Sequence, residues 1–192
     1  MCERYSFWIL RDGGILGDPG AGDQSHEGFA NDAIKAMCAD NAYREMACRV
    51  EYVPDWNVGP LAFDSYTFTV DEPIRPAWWT EDAEQAAIEA MRAAIVVSIP
   101  TSGHHTVKVG EFLCVAGDAV IDSVTGGDAW AYDNATIQSV TGGVAYAYSN
   151  ATIASMTGGY ARASGNATIQ SVTGGEAYAY DNATIVEDER GA

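Results

Sequence analysis

Few residues of this chain have the type and spacing for bond-making chemistry. His104 and His105 with Glu111 suggest a metal site, but adjacent strand residues face opposite ways and no partner at i+2 or i+4 completes a ligand set. His26 and Glu27 could serve Cys38 or Cys48 as base and nucleophile, a pairing that any chain of this size offers. Asp12-Gly13-Gly14 through Gly22 is glycine-rich, yet it lacks the lysine and spacing of a phosphate-binding loop and reads as a plain loop. The Asn-Ala-Thr triplets match a glycosylation pattern, but without a signal peptide they read as turn residues. No catalytic, cofactor-binding or metal-ligating residue is therefore expected. The chemistry left is that of a surface: Trp130, Tyr132, Tyr146, Tyr148, Tyr178 and Tyr180 recur at fixed positions and form a candidate dimer interface.

These aromatics sit in a repeat. From Ser123 to Ile185 the chain reads SVTGGDAWAYDNATIQ, SVTGGVAYAYSNATIA, SMTGGYARASGNATIQ and SVTGGEAYAYDNATI. A unit of sixteen residues cannot bury an apolar face alone and must stack on its neighbours. Each unit holds two turn signals, Thr141-Gly142-Gly143 on one side and Ser149-Asn150 or Asp133-Asn134 on the other. Two turns per unit predict a flattened coil of two parallel sheets, with about five rungs spaced roughly 4.8 Å apart. Val109 to Asp118 is a degenerate first rung that carries Phe112, Leu113, Cys114 and Val115 in place of small residues.

Strand alternation leaves two assignments, aromatics inside or small residues inside, and the second is preferred because strands joined by two-residue turns cannot enclose a layer of tyrosines. Ala135, Ile137, Ser139, Ala145 and Ala147 point inward and Thr136, Gln138, Tyr146 and Tyr148 outward, with Ile137, Ile153, Ile169 and Ile185 forming a thin core across the alanines. Outside, one column reads Trp130, Tyr146, Arg162, Tyr178 and the next Tyr132, Tyr148, Ser164, Tyr180. Six exposed aromatics in register make a contiguous apolar patch of the kind that marks an interface, and self-association by a homodimer is the expected use.

The unit Ala-Tyr-Asp-Asn-Ala-Thr-Ile, at Ala131 to Ile137 and Ala179 to Ile185, resembles the AYDNATV-type repeat of phage and bacterial proteins. The resemblance spans residues 117–185. It implies a β-solenoid and a phage or mobile-element origin, and it brings no active site with it.

The first hundred residues are irregular and read as a small α+β domain. Tyr5 to Leu10, Arg49 to Val53 and Tyr66 to Val70 are predicted strands, and Ser25 to Cys48 carries helical spacing through Ala30, Ala33, Ile34, Met37 and Cys38. Thr80 can cap a second helix, Glu81 to Val96, with Ala87, Ile88, Met91, Ala94 and Ile95 as its buried stripe. Trp78 and Trp79 before it are expected to pack. The chain thus divides into an α+β domain over 1–103, a two-sheeted parallel β-solenoid with 16-residue rungs over 104–186, and a charged tail over 187–192.

Composition narrows the function. The net charge is −17, with 18 acids against 8 bases before residue 117 and 9 against 2 after it. Direct nucleic-acid binding is disfavoured, because phosphate contacts need Lys and Arg in numbers, whereas a basic partner is favoured. No apolar run is long enough to span a membrane and no signal peptide begins the chain, so a cytoplasmic setting in a bacterial host is expected. Cys2, Cys38, Cys48 and Cys114 lack metal spacing and read as free thiols. Three function classes follow, in order. The first is a non-enzymatic acidic inhibitor of a basic nucleic-acid-binding complex, of the anti-CRISPR or anti-restriction type; a dimerising assembly module and an enzyme in the N-terminal domain come after it.

Overall fold

The computed structural model describes residues 5–19, 26–30, 34–35, 42–56 and 58–190. They form two compact units, Met1–Asp55 with Ala62–Ser98, and Trp56–Leu61 with Ile99–Ala192.

The first unit is built on a four-stranded antiparallel sheet in the order β2-β1-β3-β4, comprising β1 (Ser6–Leu10), β2 (Ile15–Leu16), β3 (Ala47–Val53) and β4 (Thr67–Val70). The turn after β1 has Gly13 at φ 90°, and the Asp12 carboxylate accepts the Gly14 N–H at 3.0 Å. The helix expected over Ser25 to Cys48 falls partly outside the described residues, as do Cys2, Cys38, Ala33 and Met37. Within them, α1 (His26–Phe29) is short, Ala42–Glu45 is a 3-10 turn, and Ala47 and Cys48 belong to β3. The sheet takes these two residues because both are fully buried opposite Leu10 and Ile9, where strand pairing satisfies their backbone groups.

The second helix, α2 (Glu81–Ser98), starts as its sequence predicts. Thr80 Oγ1 accepts the Ala83 N–H at 3.2 Å, Glu81, Asp82 and Glu84 lie at the positive end of the dipole, and Ala87, Met91 and Ile95 are buried. Both tryptophans before it pack: Trp79 stacks on Phe68 with centroids 6.3 Å apart, and the Trp78 indole N–H donates to the Arg44 carbonyl at 2.7 Å. At the end of β4 the Glu72 carboxylate, with no exposed surface, accepts from Tyr43 Oη (2.8 Å), Arg44 Nε (3.0 Å) and Arg49 Nε (3.0 Å). Burial pushes this carboxyl up, but the hydrogen bonds from Arg49, Tyr43 and Arg44 together hold it below its ordinary range.

The second unit is a parallel β-solenoid of about five turns. Its strands are β5 (His104–Val107), β6 (Phe112–Val115), β7 (Val120–Ala131), β8 (Thr136–Ala147), β9 (Thr152–Met156), β10 (Tyr160–Ala163), β11 (Thr168–Val172), β12 (Glu176–Ala179) and β13 (Thr184–Asp188). Ile121, Ile137, Ile153 and Ile169 stack in register, as do Ala129, Ala145, Ala161 and Ala177, all offset by the sequence repeat. Near the corner the offset gains one residue, with Val107 opposite Val124 and Thr125 opposite Gly142.

One expectation is corrected here. Strict alternation placed Ser139 inside, but the strand bends after Ile137, so Gln138 and Ser139 both face away and Val140 turns in. This adds an inward column, Val124, Val140, Met156 and Val172, all fully buried, so the core is thicker than isoleucine over alanine. Strands β9, β11 and β13 stack on the first half of β8 and β10 and β12 on its second half, while β7 and β8 run through both layers and link them. At the start of the coil Pro100 and Thr101 accept from the Ala116 and Asp118 N–H groups at 3.0 Å each. At the far end Glu187 and Asp188 pair with Ser171 and Val172 as part of β13.

The corners need particular residues. At the glycine corner Gly143 has φ 75°, and a Cβ there would collide with the carbonyl oxygen of Gly127 in the rung before. At the opposite turn the left-handed residue is the one before each asparagine, Asp133 (φ 58°), Ser149 (φ 57°), Gly165 (φ 72°) and Asp181 (φ 57°).

Two outcomes are expected. Gly143→Ala should lower unfolding stability by about 3 kcal/mol, from left-handed strain plus displaced backbone, measured by urea denaturation. Glu72→Gln should cost about 3 kcal/mol, because it leaves two arginines facing a neutral amide. The Glu72 pKa is depressed in the folded chain, so its contribution is complete above the ordinary glutamate value of 4.5 and disappears as pH falls through the lower, folded value. Acid unfolding of the wild type should therefore steepen below that pH, and the E72Q chain should lack that component.

Candidate interaction surface

The outward residues of β6, β7, β8, β10 and β12 build one face from three parallel columns. Pairing places Trp130 beside Tyr146, Tyr146 beside Arg162 and Arg162 beside Tyr178, as the repeat predicts. The second column is set by rung-to-rung hydrogen bonds from the N–H groups of Tyr132, Tyr148, Ser164 and Tyr180 to the carbonyls of Val115, Ala131, Ala147 and Ala163. A third column, Phe112, Asp128, Val144, Tyr160 and Glu176, was not singled out in the sequence. Its signal was present, since residue 160 lies two before the first column and therefore on the same side of the strand.

The rings touch one another rather than merely sharing a side. Tyr132 and Tyr148 stack with centroids 4.7 Å apart at 10°, and Trp130 meets Tyr146 at 5.1 Å. Where Arg162 interrupts the first column, Tyr160 bridges the gap, 6.3 Å from Tyr146 and 5.6 Å from Tyr178. The Arg162 guanidinium lies over the Tyr180 ring at 4.5 Å, so the one basic residue of the repeat becomes part of the aromatic layer. Burial, followed by the neighbouring Tyr180 and Tyr146 hydroxyls, raises the Tyr160 pKa above its ordinary value.

Exposure differs along the face, and this corrects the expectation of six exposed rings. Tyr132 is fully buried. Trp56, from the segment Trp56–Leu61, lies edge-on to Trp130 at 4.9 Å and 6.4 Å from Tyr132, and a Cβ placed on Gly59 would stand 3.8 Å from the Tyr132 ring. The chain thus covers the first end of its own ladder, leaving Tyr132 no surface to offer a partner. Trp130, Tyr146, Tyr148 and Tyr160 are half-buried, while Tyr178 and Tyr180 are 43% and 44% exposed.

Ser164 replaces a tyrosine, and beside it opens a cleft of about 360 Å³ lined by Tyr148, Ser149, Asn150, Ser164, Gly165, Asn166 and Asp181. Acidic groups border the face: Asp128 and Glu176 within the third column, and Asp133 and Asp181 at the turns.

The other candidates fare differently. His104 Nδ1 lies 2.8 Å from the Asp122 carboxylate and His105 Nε2 3.1 Å from the Ser102 carbonyl, so the two rings have separate partners. Burial, then the Glu72 charge, pushes the Cys48 thiol up to about 12, which suits an inert core thiol and not a nucleophile. Cys114 is likewise buried. Among the described residues no helix is long and apolar enough to cross a membrane. No family model, curated protein or solved structure matches the chain.

Replacing the Trp56 ring should uncover the first end of the face. In Trp56→Ala, Trp130 fluorescence should shift to longer wavelength and become more open to iodide quenching. The unit should lose about 2 kcal/mol, about half the usual cost for a fully buried tryptophan.

Proposed function

We propose that the chain is a non-enzymatic acidic interaction protein that self-associates through the tyrosine face of its solenoid. The observation that carries this reading is the uneven cover of that face. One end is sealed by the chain's own Trp56, whereas Tyr178 and Tyr180 at the other keep over two-fifths of their surface in solvent. Clustered rings left open in this way favour association, because burying them removes apolar area from water, and Tyr178 is already ordered by the Tyr160 ring and Tyr180 by the Arg162 guanidinium. The 16-residue rung is the repeating unit in this reading, its two layers presenting the aromatic columns on one side only.

The partner beyond the dimer is a basic, nucleic-acid-binding complex of the host, and the chain acts as its inhibitor in the anti-CRISPR or anti-restriction manner. Support comes from the net charge of −17 and from the acids that border the face, with the resemblance of the repeat to phage proteins giving the setting. An assembly module with the solenoid as a dimerising stalk shares the same face and differs in lacking this partner.

Light scattering tests the face: the wild type should have twice the chain mass, and Tyr146→Ser, Tyr148→Ser and Tyr178→Ser combined should halve it. A monomeric wild type, or an unchanged mass in the triple variant, would refute the dimer. The partner is tested by capture from bacterial lysate on the immobilised chain. Retention of a nucleic-acid-binding complex at low salt, released as salt rises, supports inhibition, and its absence leaves the assembly reading in place.

A further inference from the structure

A cluster in the first unit plays no part in the reading above. His26, Glu51 and Asp71 each present one donor atom, and the three atoms lie within 4.8 Å of one another. They come from three separate elements. His26 opens α1, Glu51 is on β3 opposite Thr69 of β4, and Asp71 follows β4, held by its N–H to the Arg49 carbonyl at 2.9 Å.

The histidine is fixed unusually well for a residue in a helix of four. It is 3% exposed, and its own carbonyl accepts the Trp8 indole N–H at 2.6 Å. Its Nε2 lies 3.0 Å from the Val50 carbonyl oxygen. A carbonyl only accepts, so Nε2 carries a proton, and Nδ1 is the atom turned to the carboxylates. A backbone carbonyl gripping one ring nitrogen is the outer-shell arrangement that orients a ligating histidine toward a metal.

The distance from Nδ1 to Asp71 Oδ2 is 3.5 Å. Two ligand atoms bound at about 2.0–2.2 Å to one tetrahedral zinc ion stand roughly 3.4 Å apart.

We propose that His26, Glu51 and Asp71 form a site for one borderline divalent cation of the zinc class. One imidazole and two carboxylates make a mixed nitrogen and oxygen set suited to such an ion, and a soft thiolate-seeking ion is excluded by the absence of sulfur. The Asp71 side chain is 47% exposed, which gives the ion a route in and leaves a fourth position to water. The ion would tie α1 to the sheet through all three side chains at once.

The test is calorimetric titration of zinc chloride into the full chain after chelator treatment. One ion per chain should bind, and Asp71→Asn and Glu51→Gln, both at partly exposed positions, should each weaken binding at least tenfold. His104→Gln should bind as the wild type does, which separates this site from the His104 and Asp122 pair on the solenoid. Nitrogen NMR of His26 supplies a second readout independent of any variant's folding: the Nδ1 resonance should shift on zinc addition while Nε2 keeps its proton. No saturable binding, binding unchanged in both carboxylate variants, or an Nδ1 resonance unchanged in excess zinc would overturn the proposal.

Discussion

At each glycine corner of the solenoid the backbone of one rung rests against the backbone of the rung before. A side chain at Gly127, Gly143, Gly159 or Gly175 would meet the carbonyl oxygens of Glu111, Gly127, Gly143 and Gly159 in turn, and all four glycines are left-handed. This close approach fixes the register of every strand that leaves the corner. The threonine before each pair helps hold it, with Thr125 and Thr141 donating through Oγ1 to the Val107 and Val124 carbonyls at 3.4 Å. Once the register is set, isoleucine falls on isoleucine and tyrosine on tyrosine. Core and aromatic face are both consequences of a contact in which no side chain can take part.

That dependence explains which parts of the molecule could be read from sequence. The repeat reports its own register, so the solenoid, its inward isoleucines and the two outward columns at Trp130 and Tyr132 followed from counting. Alternation failed at Ser139 because a bend places two residues outside in succession, and a period of two carries no information about where a strand turns. Left-handed turn geometry fell one residue earlier than the asparagines suggested, on Asp133 and Ser149, since aspartate and serine reach that conformation when the turn demands it. The N-terminal unit offers no such internal repetition. Its Glu72 lock and its His26 cluster bring together residues from separate strands and helices, and nothing local in the sequence announces either.

The two units also use charge in opposite ways. In the first, Glu72 is enclosed and neutralised by two arginines and a tyrosine, so its charge serves the fold. In the second, most acids stay at the rim and the turns, where water and salt reach them. The single arginine within the repeat does not neutralise a carboxylate but lies on Tyr180. At the end of the last rung, hydrogen bonds from Arg190 hold Asp188 down to about 2, and the Arg190 guanidinium also reaches the Gly175 carbonyl at 3.4 Å. The carbonyl of this corner glycine is thereby hydrogen-bonded by a side chain.

The segment Trp56–Leu61 belongs to the solenoid yet is threaded through the middle of the first unit's sequence. A ribosome delivers it long before Trp130 and Tyr132 exist, so it must wait without its docking surface while strands on either side of it assemble. The solenoid, for its part, can add rungs by local contacts, but it cannot seal its first aromatic rung without a chain closure over a long sequence separation. Sealing that rung therefore brings one tryptophan back to a surface made after it, while the other end of the ladder stays open.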